Sequence, residues 1–232
     1  MASIRILPPE VVNRIAAGEV VERPASVLKE LVENSIDAFA TEILVDLEEG
    51  GTKLIFVRDN GSGIPPDEMA LAFESHATSK LTEEELGGNL LGISTLGFRG
   101  EALASIASVA MVEMVSKTHG AEHAHRYRPG NKPRGSVEPS AGEAGTSIEV
   151  RNLFYNVPAR RKFLRSASTE LSHAVGQLTR LALGFPGLRF RLTHARKPVL
   201  DLPAADTLRE RLRQLIGKEV VGGLLEVKHE AS

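Results

Sequence analysis

The chain contains no cysteine, and none of its apolar runs reaches the length needed to cross a membrane. The missing cysteines exclude a disulfide framework and any metal site built from thiolates. Pro8-Pro9 stands where a secretory signal peptide would need a long apolar stretch, and no internal repeat or low-complexity tract is visible. These absences predict a soluble globular protein that is not secreted.

The charges are unevenly distributed along the chain. Residues 1–100 hold 8 Lys and Arg against 17 Asp and Glu, a net charge of −9, whereas residues 151–200 hold 10 against 1, a net charge of +9. An acidic half suits a metal ion and its ligands, and a basic segment is a candidate for contact with a phosphate backbone. The two regions are therefore expected to face different partners.

One predicted helix, over residues 26–38, is the centre of the sequence pattern, and Ser26 is its expected N-cap. At about 100° per residue, four polar side chains share one arc and the apolar side chains lie opposite. The polar arc comprises Glu30, Glu33, Asn34 and Asp37, and no basic residue lies among them; the apolar side comprises Val27, Leu28, Leu31, Val32 and Ile36. Like charges at this spacing repel by about 0.2–0.5 kcal/mol per pair. Either water or a bound Mg²⁺ is expected to compensate them.

The segment after this helix predicts a β-hairpin, with strands over residues 43–47 and 53–57. The second strand runs into Asp59-Asn60-Gly61-Ser62-Gly63, and a helix is predicted over residues 65–73 because Pro65 and Pro66 precede apolar positions. A tight glycine turn between a strand and a helix leaves Asp59 at a strand end, facing a pocket. A hairpin turn is the other reading of the same glycine pairs.

The second half of the chain is predicted to add three strands and one helix. Strands are expected over 111–116 and 146–150, joined by a long connection over 119–145, and a helix over 170–183 precedes a strand over 188–192. The pattern predicts an α+β fold. We expect a first domain over residues 1–200, a linker over 201–206 and the truncated start of a second α/β domain over 207–232.

The polar helix, the aspartate with its glycine turn, Lys80 and the glycine-rich start of the helix after residue 96 form a recognisable set. Together they resemble the GHKL superfamily, the ATP-binding fold shared by type II topoisomerases, heat-shock chaperones, histidine kinases and MutL. Three segments resemble the MutL family of DNA mismatch-repair proteins in particular, namely residues 15–24, 96–103 and 153–164, and the resemblance runs from residue 4 to 201. It implies a two-layer sandwich in which helices cover a mixed, largely antiparallel sheet. Phe39 departs from the family pattern, which usually has glycine there.

The resemblance also implies site residues for ATP and Mg²⁺. Glu30 would be the general base that activates water, and Asn34 would coordinate Mg²⁺. Asp59 would accept the adenine amino group, with Gly63 and Thr146 beside the base. The phosphates would be held by Lys80 and by the segment of Gly97, Phe98, Arg99, Gly100, Glu101, Ala102 and Leu103.

The function implied is DNA mismatch repair, with Mg²⁺-dependent binding and slow hydrolysis of ATP acting as a switch. Homodimerisation on nucleotide binding, the mismatch-recognition protein MutS, and weak, sequence-nonspecific DNA contact are the implied partners, in a bacterial-type cytoplasm near the nucleoid and away from membranes. Two alternatives remain: a DNA-binding module with a vestigial nucleotide site, or a topoisomerase- or chaperone-like ATPase of the same superfamily. The candidate DNA contacts are Arg160, Arg161, Lys162 and Arg165.

Overall fold

The computed structural model describes residues 17–18, 20–80, 95–97, 100–130 and 136–223. Its helices are α1 (Pro24–Asp37), α2 (Ala102–Val109), α3 (Pro158–Phe163), α4 (Ala167–Gly184), α5 (Leu208–Ile216) and α6 (Lys218–Gly222). Its strands are β1 (Glu42–Glu48), β2 (Leu54–Asp59), β3 (Met111–Lys117), β4 (Ala124–Tyr127), β5 (Val137–Ser140), β6 (Gly145–Arg151), β7 (Arg189–His194) and β8 (Lys197–Leu202). The sequence also predicts a short N-terminal arm around residues 4–6 and a glycine-containing flap over residues 81–95; apart from residue 95, both lie outside the described residues.

The eight strands form one sheet in the order β5-β4-β3-β6-β2-β1-β7-β8. β1 and β7 run parallel, and the other neighbouring strands are antiparallel. Buried residues alternate with more exposed ones along β1, because successive side chains point to opposite faces of a strand. The predicted fold class, a mixed and largely antiparallel sheet with helices, is confirmed.

Helix α1 packs against both the sheet and α4 because its apolar side is buried. Val27, Leu28 and Val32 are fully buried and belong to the same core as Leu178 of α4 and Ile55 of β2. Burying such side chains contributes about 1.5–3 kcal/mol each, which makes this packing the main support of the helix. The polar arc of α1 is thereby held on the outside of the core.

Several predicted boundaries are wrong. The helix begins at Pro24 with Arg23 as its N-cap, because proline is well suited to the first helical position, so Ser26 lies inside the helix. The predicted connection over 119–145 contains β4 and β5, which pair with each other. Residues 65–73 form turns and one 3₁₀ segment, Leu71–Phe73, instead of an α-helix.

Helix α5, in the predicted start of the second domain, packs on the sheet through a fully buried arginine. Arg211 donates to the carbonyl oxygens of Pro186 and Leu188, and its guanidinium lies 5.8 Å from the centre of the Phe190 ring. Residues 201 and 202 of the predicted linker belong to β8. The division of the chain at residues 201–206 stays a prediction.

The turn after α1 contains a strained residue. Phe39 has a φ of 58° and is 89% exposed, so its side chain gains little from packing. Its backbone N–H donates to Ile36, and that of Ala40 donates to Ser35, which keeps the chain in this turn. The glycine that the family pattern has at this position would adopt the same conformation without a steric penalty.

We expect Phe39→Gly to raise the free energy of unfolding by about 1 kcal/mol, because it removes the left-handed strain at the cost of greater freedom in the unfolded chain. Urea unfolding would measure the difference. Phe39→Ala is the matched control, since it removes the exposed ring but keeps a Cβ at positive φ. Equal gains from both variants would show that the exposed ring, and not the backbone, was the cause.

Candidate nucleotide site

The polar arc of α1 presents Glu30, Asn34 and Asp37 at intervals of one helical turn. The side chain of Glu30 is 25% exposed and that of Asp37 only 7%. The helix thus offers a carboxylate, an amide and a second carboxylate in line along one face. The packing of the opposite face keeps this line in place.

Lys80 and the segment before α2 converge on the C-terminal end of this line. The Lys80 ammonium donates to Oδ2 of Asp37 at 2.6 Å and to Oδ1 of Asn34 at 2.7 Å. The backbone N–H groups of Leu96 and Gly97 donate to the same Asp37 carboxylate at 3.0 and 3.1 Å. An ammonium and two backbone N–H groups therefore surround one oxyanion, which is the arrangement that binds phosphates in proteins.

Lysines compensate the negative charge of the polar arc, whereas either water or a bound Mg²⁺ was expected to do so. Lys29 donates to Glu33 at 2.7 Å and to Glu30 at 3.1 Å. These two carboxylates raise the pKa of Lys29, although burial, the largest single influence, opposes the rise. Lys29 was overlooked because it lies beside the polar arc, yet it reaches Glu33 across one turn.

Asp59 occupies the end of β2, as predicted, and is 7% exposed. Its Oδ1 accepts the N–H groups of Gly61 at 2.9 Å and Thr146 at 3.1 Å, and its Oδ2 accepts the hydroxyl of Ser35 at 2.9 Å. Burial raises the pKa of the Asp59 carboxyl, and these hydrogen bonds oppose the rise. A buried carboxylate with an acceptor lone pair left over is suited to bind an amino group.

Ser35 links Asp59 to the polar face of α1. Ser35 follows Asn34 directly. The residue that contacts Asp59 and the residue that contacts Lys80 are therefore neighbours on one helix. The sequence reasoning missed Ser35, although a signal was present: it lies among the apolar positions of α1, and a buried hydroxyl needs a partner.

Two glycines are required where backbone segments approach closely. Gly63 has a φ of 72°, and a Cβ there would clash with the carbonyl oxygen of Lys117. Gly100 has a φ of 62°, and a Cβ there would clash with the carbonyl oxygen of Ala77. The second contact, with the hydrogen bond from the His76 N–H to the Gly100 carbonyl oxygen, joins the Lys80 segment to the start of α2.

The other predicted phosphate-binding residues lie at the N-terminus of α2. Glu101 is the N-cap of α2, Ala102 and Leu103 form its first turn, and Glu101 faces His76 at 3.3 Å. Phe98 and Arg99 lie outside the described residues. The structure thus brings Gly97 to the polar arc and leaves the roles of the neighbouring residues as predictions.

The four predicted DNA contacts form a separate group. Arg160, Arg161 and Lys162 belong to α3, and Arg165 follows it. Phe163 stands among them with 84% of its surface exposed. None of the described hydrogen bonds or ion pairs connects this group to Asp59 or Lys80. Their contact with DNA stays a prediction.

Comparison with known proteins places this arrangement in context. The family model described as "Histidine kinase-, DNA gyrase B-, and HSP90-like ATPase" matches residues 22–130. The DNA mismatch repair protein MutL of Xanthomonas oryzae pv. oryzae is 48% identical over 231 residues, covering 99% of this chain. MutL of Paramagnetospirillum magneticum is 51% identical over 222 residues, covering 94%. The chain spans 36% of the length of each of these relatives.

Solved structures agree with the sequence relatives. The Aquifex aeolicus MutL ATPase domain complexed with ADP superimposes with a TM-score of 0.67 and 30% identity, over 84% of this chain and 69% of that one. The N-terminal domain of a DNA repair protein superimposes with a TM-score of 0.77 and 26% identity, over 93% of this chain and 63% of that one. Both superpositions support the fold described above.

Proposed function

We propose that this chain, which belongs to the MutL family of ATPase domains, binds Mg²⁺-ATP along the polar arc of α1 and uses slow hydrolysis as a conformational switch. One observation carries the proposal. Lys80 and the N–H groups of Leu96 and Gly97 already surround an oxyanion, the Asp37 carboxylate, beside Asn34. The phosphates of a nucleotide would replace Asp37 as the partner of these donors.

The adenine end of the nucleotide would lie at Asp59. The Oδ2 of Asp59 accepts one hydroxyl from Ser35, which leaves a lone pair for the exocyclic amino group of adenine. Gly63 and Thr146 would lie beside the base, because the Thr146 N–H is bound to Asp59 and Gly63 follows Asp59 in the same turn. Since Ser35 and Asn34 are consecutive, a nucleotide anchored at Asp59 would extend its phosphates towards Lys80.

The side chain of Asn34 fits the expected role of a magnesium ligand. Its Oδ1 is a hard, uncharged ligand atom and already accepts a hydrogen bond from a cation, the Lys80 ammonium, at 2.7 Å. Mg²⁺ is usually held by one or two protein ligands together with phosphates and water, so Asn34 would share the ion with the nucleotide. When bound, Mg²⁺ would neutralise charge on the phosphates.

Glu30 is placed one turn beyond Asn34, where the terminal phosphate of such a nucleotide would lie. Its carboxylate would accept a proton from water while the water oxygen bonds to the γ-phosphorus and the bond to the bridging oxygen of ADP breaks. The products are ADP, inorganic phosphate and a proton on Glu30. Lys29 orients the carboxylate through its 3.1 Å contact.

In the whole protein, this cycle would serve DNA mismatch repair. The relatives whose sequences are similar to this chain are named as mismatch repair proteins, and the chain spans 36% of their length. We propose that nucleotide binding promotes homodimerisation and couples recognition of a mismatch by MutS to later steps on DNA, in the cytoplasm near the nucleoid. No helix among the described residues has the length and apolar character of a membrane span.

Calorimetry with a nonhydrolysable ATP analogue tests the proposal, with and without Mg²⁺, together with size-exclusion chromatography of the same samples. We expect binding that strengthens with Mg²⁺, and loss of that Mg²⁺ effect in Asn34→Ala, because the amide oxygen that faces the cation is removed. The control is Ser172→Ala, at an exposed position inside α4 where alanine fits the helix. The absence of binding in both conditions would refute the proposed function.

A further inference from the structure

An open cleft adjoins the general base on the side away from Asp59. It has a volume of about 350 Å³ and lies between the N-terminal half of α1 and one face of α4. Glu30 is one of its lining residues, so the cleft begins where the proposed hydrolysis takes place. None of the roles assigned above uses this space.

The α4 side of the cleft is a polar stripe with a cation at its end. His173, Gln177 and Arg180 are spaced four and three residues apart, so they share one face of the helix. The Arg180 guanidinium donates to Oε1 of Gln177 at 3.0 Å, which holds it against this face. The remaining guanidinium N–H groups are available to an acceptor in the cleft.

The α1 side contributes Arg23 and Lys29 as cations, and Glu22 and Glu30 as carboxylates. Lys29 forms ion pairs with Glu30 and Glu33, and these carboxylates compensate its positive charge. Among the described residues, no carboxylate lies within 4 Å of Arg180 or Arg23. The positive charge of the cleft that no carboxylate compensates is thus carried by its arginines.

We propose that this cleft receives the inorganic phosphate released by hydrolysis, before the phosphate escapes to solvent. The inference rests on the proposed function, because it requires the γ-phosphate to be cleaved beside Glu30. A guanidinium presents paired N–H groups that match phosphate oxygens, and the cleft is large enough for phosphate with several waters.

The charges that line the cleft favour movement of the phosphate from the site of cleavage into the cleft. Once Glu30 has released its proton to water, its carboxylate repels the dianion from the site of cleavage, while Arg180 and Arg23 attract it into the cleft. The two carboxylates in the lining keep the binding weak, and weak binding suits a product that must leave. The cleft is a separate site from the ATP phosphates, because these are assigned to Lys80 and Gly97 more than one helical turn away along α1.

The test is titration of inorganic phosphate into the chain saturated with ADP and Mg²⁺, followed by calorimetry or phosphorus NMR. We expect Arg180→Gln to weaken phosphate binding by about tenfold or more while the affinity for ADP is unchanged. Arg191→Gln is the matched control, since it removes an equally exposed arginine from β7, and it should bind phosphate as the parent does.

Steady-state kinetics give a second measurement. Added phosphate should inhibit hydrolysis without competing with ATP, and Arg180→Gln should relieve that inhibition. Equal phosphate affinity in Arg180→Gln and the parent, or phosphate that binds only when ADP is absent, would overturn the inference. Failure of ADP itself to bind would instead refute the proposed function, so the two outcomes are distinguishable.

Discussion

Replacing Glu30 with glutamine is expected to abolish turnover of ATP while leaving its binding intact. The amide has the size of the carboxylate but cannot accept a proton from water, and a positioned base contributes about 10²–10⁴-fold to the rate. Because Glu30 lies one turn from Asn34 and has no contact with Asp59 or Lys80, the nucleotide would keep its anchors. We therefore expect kcat to fall by about 100-fold or more.

The measurement is release of phosphate under saturating ATP, together with calorimetry using a nonhydrolysable analogue. Glu68→Gln is the matched control, because Glu68 is exposed in the turn after Gly63 and contacts no predicted site residue. Normal turnover by Glu30→Gln would remove Glu30 from the role of base. Loss of analogue binding in Glu30→Gln would mean that this carboxylate holds the nucleotide rather than the water.

Replacing Asp59 with asparagine is expected to remove nucleotide binding while the fold persists. The Oδ1 of asparagine can still accept the N–H groups of Gly61 and Thr146. The new amide N–H₂ would face Ser35, whose hydroxyl can turn to donate to the Leu31 carbonyl oxygen at 3.1 Å and accept from the amide. The folded state therefore loses no buried hydrogen bond.

Adenine, in contrast, would meet a donor where it needs an acceptor. Its amino group and the amide N–H₂ cannot pair, and sites that recognise a polar group discriminate strongly when the pairing fails. We expect the affinity for ATP to fall by about 100-fold or more. Calorimetry checks this result, with the exposed Asp67→Asn as control and urea unfolding to confirm the fold. Unchanged ATP affinity in Asp59→Asn would place adenine elsewhere.

Lowering the pH should weaken ATP binding as Asp59→Asn does. Burial raises the pKa of the Asp59 carboxyl, so its protonation begins at a higher pH than that of an exposed aspartate. Protonation converts the acceptor to a donor, and the affinity for ATP should fall as the pH falls through that range. For stability the sign is opposite: a raised pKa in the folded state means that ionisation of Asp59 costs stability as the pH rises.

Parts of the site were predictable from short-range patterns in the sequence. The strand that ends at Asp59 was predictable because alternating apolar residues precede a glycine-rich turn, and such patterns depend on neighbouring residues. The polar arc with Glu30 and Asn34 was predictable for the same reason, from the periodicity of a helix. Gly63 in that turn has a positive φ, which the glycine-rich pattern favours.

Contacts between distant residues were not predictable in this way. Lys80 binds Asp37 across 43 positions of sequence, and Ser35 binds Asp59 across 24. The convergence of Lys80 and Gly97 on the Asp37 carboxylate was likewise not predicted from the sequence. The pairing of β4 with β5 was also missed, because both are four-residue strands in a segment rich in glycine and proline.

The sequence by itself determined the types of residue available for a nucleotide site, the amphipathic helix that presents them and the family to which the pattern belongs. The helix and its residue types follow from periodicity and short-range geometry, which act over a few residues, whereas the family follows from the resemblance of whole segments. Only the tertiary structure decided which groups meet: Lys80 with Asp37, Ser35 with Asp59, and Glu30 with a cationic cleft against α4. Such meetings depend on how helices pack on the sheet, because burial of the apolar faces brings together residues that no local rule connects.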